Sequence, residues 1–170
     1  MRVAGPDAAD YLQRMVSNDD YGVPAVEVLD EACEPTIGDE ELEALRIQAG
    51  MPRWGREIDD RVLPAEAGLD ERAVSWTKGC YPGQEPVARL HYRGHPNRRL
   101  RRLELEGDQL PEYDAEVSYE GKAVGRVTSA ARSTDRIVAL GYVRVEVPEN
   151  AELAVGDSVA RPLDWSFARP

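Results

Sequence analysis

The spacing of apolar positions changes near residue 98, and the change divides the chain in two. Before it, apolar residues recur at helical intervals over short stretches. Leu12, Met15 and Val16 form a stripe on a predicted helix over residues 7–16, capped by Asp7 and stopped by Ser17-Asn18-Asp19-Asp20. Residues 23–37 alternate weakly through Val26 and Val28, which predicts a short strand and a proline-containing loop. Asp39 is the expected cap of a second helix, with Glu40 and Glu41 in the first turn, where acids suit the helix dipole. Leu42, Leu45 and Ala49 share one face of it, and Gly50 and Pro52 end it. Residues 52–77 have no clear period and predict packed loop with short elements. A third, short helix is expected after Gly83, with Pro86 in its first turn and Glu85 and Arg89 four apart; Gly94 and Pro96 end it.

Beyond residue 98 the pattern is strand-like. Residues 100–106, 115–119, 123–128, 137–147 and 158–161 predict strands, with Glu120-Gly121 as a tight turn. Gly125 and Gly141 interrupt this pattern, as at bulges or barrel corners. The expected class is α+β, with a first domain over residues 1–97 and a small antiparallel β-barrel over 98–170.

The chain has 170 residues, with 42% hydrophobic and 31% charged, a balance that suits a globular fold with its own core. Its net charge of −11 argues against broad attraction to nucleic acid or to an anionic membrane. No apolar run is long enough to span a bilayer, and residues 1–7 carry no signal-peptide core. Two cysteines, Cys33 and Cys80, make no disulfide framework, so a reducing cytoplasm is expected. Lysine is limited to Lys78 and Lys122. Scarce lysine with abundant acid fits either a salt-loving source or a GC-rich coding bias.

The charge is unevenly placed. Residues 78–102 hold seven basic residues against Glu85 alone, a net of +6 that leaves −17 elsewhere. Such a window focuses field toward an anion, unless its arginines pair with neighbouring acids. Both histidines and Cys80 fall within it. Cys80 precedes a predicted helix N-terminus and lies two residues from Lys78, features that favour a thiolate; a packed, inert thiol in a glycine-rich turn is the other reading. His91 and His95 have ligand spacing, and Cys33 with Cys80 would complete a four-ligand set. Gly94 and Pro96 spoil the helix such a site needs, so no metal is predicted. Arg46, Arg53, Arg89 and Arg93 offer guanidinium groups for a polyglutamate tail or a phosphate, or else pair with surface acids. Trp54 and Trp76 are either stacking platforms or packed aromatics.

Lys78-Gly79-Cys80-Tyr81-Pro82-Gly83-Gln84-Glu85 resembles the Lys-Gly-Cys-Tyr-x-Gly-Gln-Glu signature of YgfZ-type folate-binding proteins, relatives of the glycine-cleavage T-protein (aminomethyltransferase). All seven defined positions agree. Arg46-Ile47-Gln48-Ala49-Gly50-Met51-Pro52 resembles the family's Arg-x-Glu-x-Gly-x-Pro segment, and Gly125-x-Val127-Thr128-Ser129 its C-terminal barrel. The resemblance implies a shortened T-protein-like folate-binding domain followed by the barrel. It implies tetrahydrofolate as cofactor, held by Arg46, Gln48, Gln84, Glu85 and Arg89, with Cys80 and Lys78 acting at the folate pocket or a partner interface. It also implies a role in assembling or repairing iron–sulfur clusters and in tRNA modification, with iron–sulfur enzymes or assembly proteins as partners. Two features depart from the family. Its members are longer, and the difference falls between about residues 20 and 22, where the T-protein's central lobes and catalytic aspartate would lie. Gln48 stands where the pterin-facing glutamate is usual, and an amide has one acceptor group where a carboxylate has two. An aminomethyltransferase and a non-catalytic binding remnant are the competing readings.

Overall fold

The computed structural model describes residues 38–70 and 73–163. The predicted helix over 7–16, the strand over 23–37, the junction near residues 20–22 and Cys33 lie outside the described residues.

Two helices precede six strands: α1 (Asp39–Gln48), α2 (Gln84–Arg93), β1 (Arg98–Leu105), β2 (Glu116–Tyr119), β3 (Lys122–Ser133), β4 (Arg136–Arg144), β5 (Leu153–Val155) and β6 (Ser158–Pro162). The strands close into an antiparallel barrel in the order β1-β4-β3-β2-β5-β6, sealed where β6 pairs with β1. This is the α+β arrangement with a C-terminal barrel that the pattern predicts.

β4 shows how sequence makes the barrel and its cover together. Residues 137–143 are buried without a break. Alternate side chains point to opposite faces of a strand. Ile137, Ala139 and Val143 join the barrel's interior with Leu103, Val127 and Leu153. Val138, Leu140 and Tyr142 form a second cluster with Ala44 and Ile47 of α1 and Leu100 of β1. A strand buried on both faces reads as a continuous apolar run. The helix and the barrel therefore share a core.

The Glu120-Gly121 turn is as predicted: both residues have positive φ, 49° and 74°, the geometry that joins strands through two residues. Gly125 and Gly141 lie where β3 and β4 pair with no room for a side chain at either position. A Cβ on Gly125 would fall well inside the van der Waals distance of the Tyr142 carbonyl oxygen; on Gly141 it would lie 2.9 Å from that of Arg126. The β3–β4 register shifts between Val127 and Ser129, which makes Thr128 a bulge.

Four details differ from expectation, the first being that β4 ends at Arg144 rather than at residue 147, where the chain turns. Gly38, not Asp39, occupies the cap position of α1, and Asp39 is its first residue. β3 runs on to Ser133, beyond the predicted 128, because β4 pairs along its whole length. β5 has three residues, too few to register a period, and exists because β2 and β6 pair with it on either side.

Candidate functional site

The octapeptide over 78–85 runs into α2 through a turn made from its own residues. Gly83 sits at the helix cap with φ of 81°, a left-handed conformation that favours glycine. Gln84 closes the turn twice. Its backbone N–H donates to the Tyr81 carbonyl at 3.3 Å, and its side-chain oxygen accepts the Tyr81 N–H at 3.2 Å. The Lys78 ammonium lies 4.7 Å from the centre of the Tyr81 ring, a cation–π distance. Cys80 lies between Lys78 and Tyr81, with its thiol exposed.

No residue of α2 is buried. Gln84, Glu85, Ala88, Arg89, Tyr92 and Arg93 border a hollow of about 640 Å³ along one side of the helix. All six come from α2, so the described residues form only one wall of it. Arg89 and Arg93 make no ion pair or hydrogen bond among the described residues. Trp76 stacks on His91 with ring centres 3.7 Å apart, and Tyr92 meets both rings edge-on. This aromatic group fastens the preceding segment to the helix. His95 lies beyond the helix end, its Nδ1 3.2 Å from the Pro96 carbonyl oxygen, so the two histidines do not share a helical face.

The basic window divides at β1. Arg98 pairs with Glu66 at 3.1 Å and lies over the Tyr142 ring. Arg101 donates to the carbonyls of Val147 and Pro148, and burial lowers its pKa. Arg102 donates to the Gln48 carbonyl at 2.7 Å. These cations hold the fold together. Those on α2 face solvent.

The α1 residues are engaged elsewhere. Gln48 donates its side-chain N–H to the Ser133 hydroxyl at 2.6 Å, tying the helix end to β3. Arg46 is buried, and four of its five N–H donors bond within the chain, to Glu43 twice, to Glu57 and to the Met51 carbonyl. Glu57 is 1% exposed. Its carboxylate accepts from Arg46 at 3.1 Å, from the Arg53 backbone N–H at 3.0 Å and from the Ser129 hydroxyl at 2.6 Å. The Tyr142 hydroxyl donates to the Glu57 carbonyl at 2.9 Å, and burial pushes that phenol's pKa up. Burial opposes the Arg46 charge, but the hydrogen bonds it donates to Glu43 and the charge of Glu57 outweigh it and raise the guanidinium's pKa. Among the described residues no hydrogen bond or ion pair joins Arg46 or Gln48 to the 78–89 group. The predicted site residues thus fall into two sets, one on each helix. Neither Glu57 nor Ser129 was expected at a site: Glu57 stands in no periodic stretch or motif, and Ser129 was read only as the end of the Gly125–Ser129 barrel segment.

Residues 98–161 match the glycine cleavage T-protein C-terminal barrel domain, a range that takes in the six strands except the last residue of β6. The fold is similar to that of the glycine cleavage system aminomethyltransferase T from Bartonella henselae, with a TM-score of 0.63 and 28% identity over 74% of this chain. The chain belongs to the glycine-cleavage T-protein superfamily. Within that superfamily it is 33% identical over 129 residues to the tRNA-modifying protein YgfZ of Edwardsiella ictaluri, matching 72% of this chain. It is 36% identical over 120 residues to an aminomethyltransferase of Symbiobacterium thermophilum, matching 69% of this chain. The matches span 39% of the first protein, 30% of the second and 37% of the Bartonella chain.

In this superfamily member, the Arg46 cluster gives stability a specific acid dependence. The hydrogen bond from Arg46 lowers the Glu43 pKa below the ordinary 4.5, against the opposing effect of burial. The folded carboxylate holds its proton less tightly than the unfolded one. Its contribution is therefore complete above about pH 4.5 and is lost as pH falls through the lowered folded value. Thermal melts across this acid range should show a shallower loss of stability for Glu43→Gln than for the unaltered chain. Parallel curves would contradict the assignment.

Proposed function

We propose that this chain is a YgfZ-type member of the superfamily that binds tetrahydrofolate along α2. In this reading it serves as a cytoplasmic accessory to iron–sulfur enzymes and to tRNA modification, with residues 1–97 and 98–170 as its two units. The observation that carries the reading is the 78–85 octapeptide, which opens α2 directly beside Glu85 and Arg89. The donor set there suits the ligand's chemistry. The Glu85 carboxylate is an acceptor for the amino and ring N–H groups of an aminopyrimidine. Arg89 and Arg93 supply guanidinium groups for glutamate carboxylates. Tyr92, 69% exposed, supplies a face for a planar ring. Arg46 and Gln48 act here as positioning residues, since their polar groups are bonded to Glu43, Glu57 and Ser133. Bound tetrahydrofolate would supply one-carbon carrier chemistry. Cys80 and Lys78 stand at the start of the same helix, where a partner protein can reach the thiol.

Calorimetric titration with tetrahydrofolate tests the reading. Glu85→Gln and Arg89→Gln should each weaken binding by about tenfold, the loss expected of one charged hydrogen bond. Cys80→Ser should leave affinity unchanged and abolish complementation of a cluster-dependent enzyme. Absence of binding at saturating ligand contradicts the reading. The likeness to aminomethyltransferases favours a second reading, aminomethyl transfer. Transfer from a lipoyl carrier protein would support that reading and count against the accessory role.

A further inference from the structure

A second cleft, of about 280 Å³, lies between the 53–58 loop and the barrel. Glu43, Arg53, Arg56, Glu112, Tyr113 and Thr128 are among the residues that line it. The loop is tightly wound, because the Arg53 carbonyl accepts N–H groups from Arg56, Glu57 and Ile58 at 3.1–3.2 Å. The buried Glu57 carboxylate anchors it from below through Ser129 of β3. The cleft walls are therefore held in place.

The charges around the cleft are unequal in what remains available. Arg46 and Arg53 share Glu43, and Arg46 also bonds Glu57, so both acids are already engaged. Arg56 has no ion pair among the described residues, and its guanidinium lies 5.1 Å from the centre of the Tyr113 ring. A guanidinium stacked on a ring keeps its edge N–H donors free, in the fork geometry that matches a carboxylate. Trp54 on the same loop is 72% exposed, and Tyr113 is 52% exposed. The volume lies just below the roughly 300–1,000 Å³ usual for ligand pockets, enough for one side-chain-sized group.

We propose that this cleft is a carboxylate-binding site for a glutamate group, with Arg56 as the principal contact. The group comes either from an acidic stretch of a partner polypeptide or from a γ-linked glutamate chain. Two acids of the lining oppose the incoming charge and limit affinity: Glu112, and Glu43, whose charge Arg46 and Arg53 partly offset.

The full chain, labelled with ¹⁵N, should be titrated with three probes: a blocked α-linked triglutamate peptide, tri-γ-glutamate and a blocked triglutamine peptide. At least one glutamate probe should shift the Trp54 indole and Arg56 side-chain resonances, and triglutamine should not. Arg56→Gln should weaken that binding by about tenfold, whereas Glu112→Gln should strengthen it by a few-fold, on the order of one removed like-charge contact. Arg89→Gln should leave it unchanged, which separates this site from the α2 face. Preference for the α-linked probe identifies a polypeptide source, and preference for the γ-linked probe a glutamate tail. The proposal is overturned if neither glutamate probe shifts these resonances, if triglutamine matches them, or if Arg56→Gln has no effect.

Discussion

Glu57→Ala is expected to destabilise the fold by about 3–5 kcal/mol, the cost of removing one partner from a buried ion pair. Glu57 is fully enclosed, and three donors converge on its carboxylate: the Arg46 guanidinium, the Arg53 backbone and the Ser129 hydroxyl. Truncation leaves these buried donors short of an acceptor, and the 53–58 loop loses its anchor to β3. Glu57→Gln keeps the shape and one acceptor, so it should lose less. In a double-mutant cycle, Arg46→Met combined with Glu57→Leu should cost less than the two single changes added together, because the pair then leaves no unmatched charge. Urea denaturation followed by circular dichroism measures all of these variants. A Glu57→Ala chain within about 1 kcal/mol of the parent would show that the network does not hold the loop.

Gly125→Ala should be nearly as damaging, at about 3 kcal/mol, the upper end of the usual cost of overpacking. The obstruction is the Tyr142 carbonyl, part of the backbone of the paired strand, which cannot rotate aside as a side chain can. Relief requires β3 and β4 to separate at the Gly125–Val143 pairing. Gly38→Ala is the matched control: its added Cβ meets nothing within 4 Å and its φ is −82°. Equal denaturation midpoints for the two variants would contradict the close approach.

The barrel was legible because its strands satisfy two burial demands at once. The apolar run over 137–143 marks a strand covered on both faces, inside by the barrel and outside by α1. Gly125 and Gly141 were legible as interruptions because a missing side chain within a strand implies a close neighbour. β5 was not, since its three residues take their conformation from β2 and β6. The octapeptide was legible as a loop entering a helix, because Gly83 and Pro86 fix both sides of the boundary. Side-chain destinations were harder to read. Gln48 looked free to meet a ligand, yet its partner is Ser133, 85 positions away. Glu57 is one of 32 acids, and nothing local separates it from the exposed ones. The arginines of β1 read as a positive patch, but strand pairing brings Arg98 to Glu66 and Arg102 to a carbonyl of α1. In each case the deciding contact is long-range.

The proposed ligand face is α2, with α1 serving to lock the barrel. Hydrogen–deuterium exchange of the full chain, with and without saturating tetrahydrofolate under anaerobic conditions, distinguishes the two helices. Protection should appear over residues 78–93 and leave residues 39–58 unchanged. Protection confined to 39–58, or none anywhere, would contradict the placement of the ligand on α2.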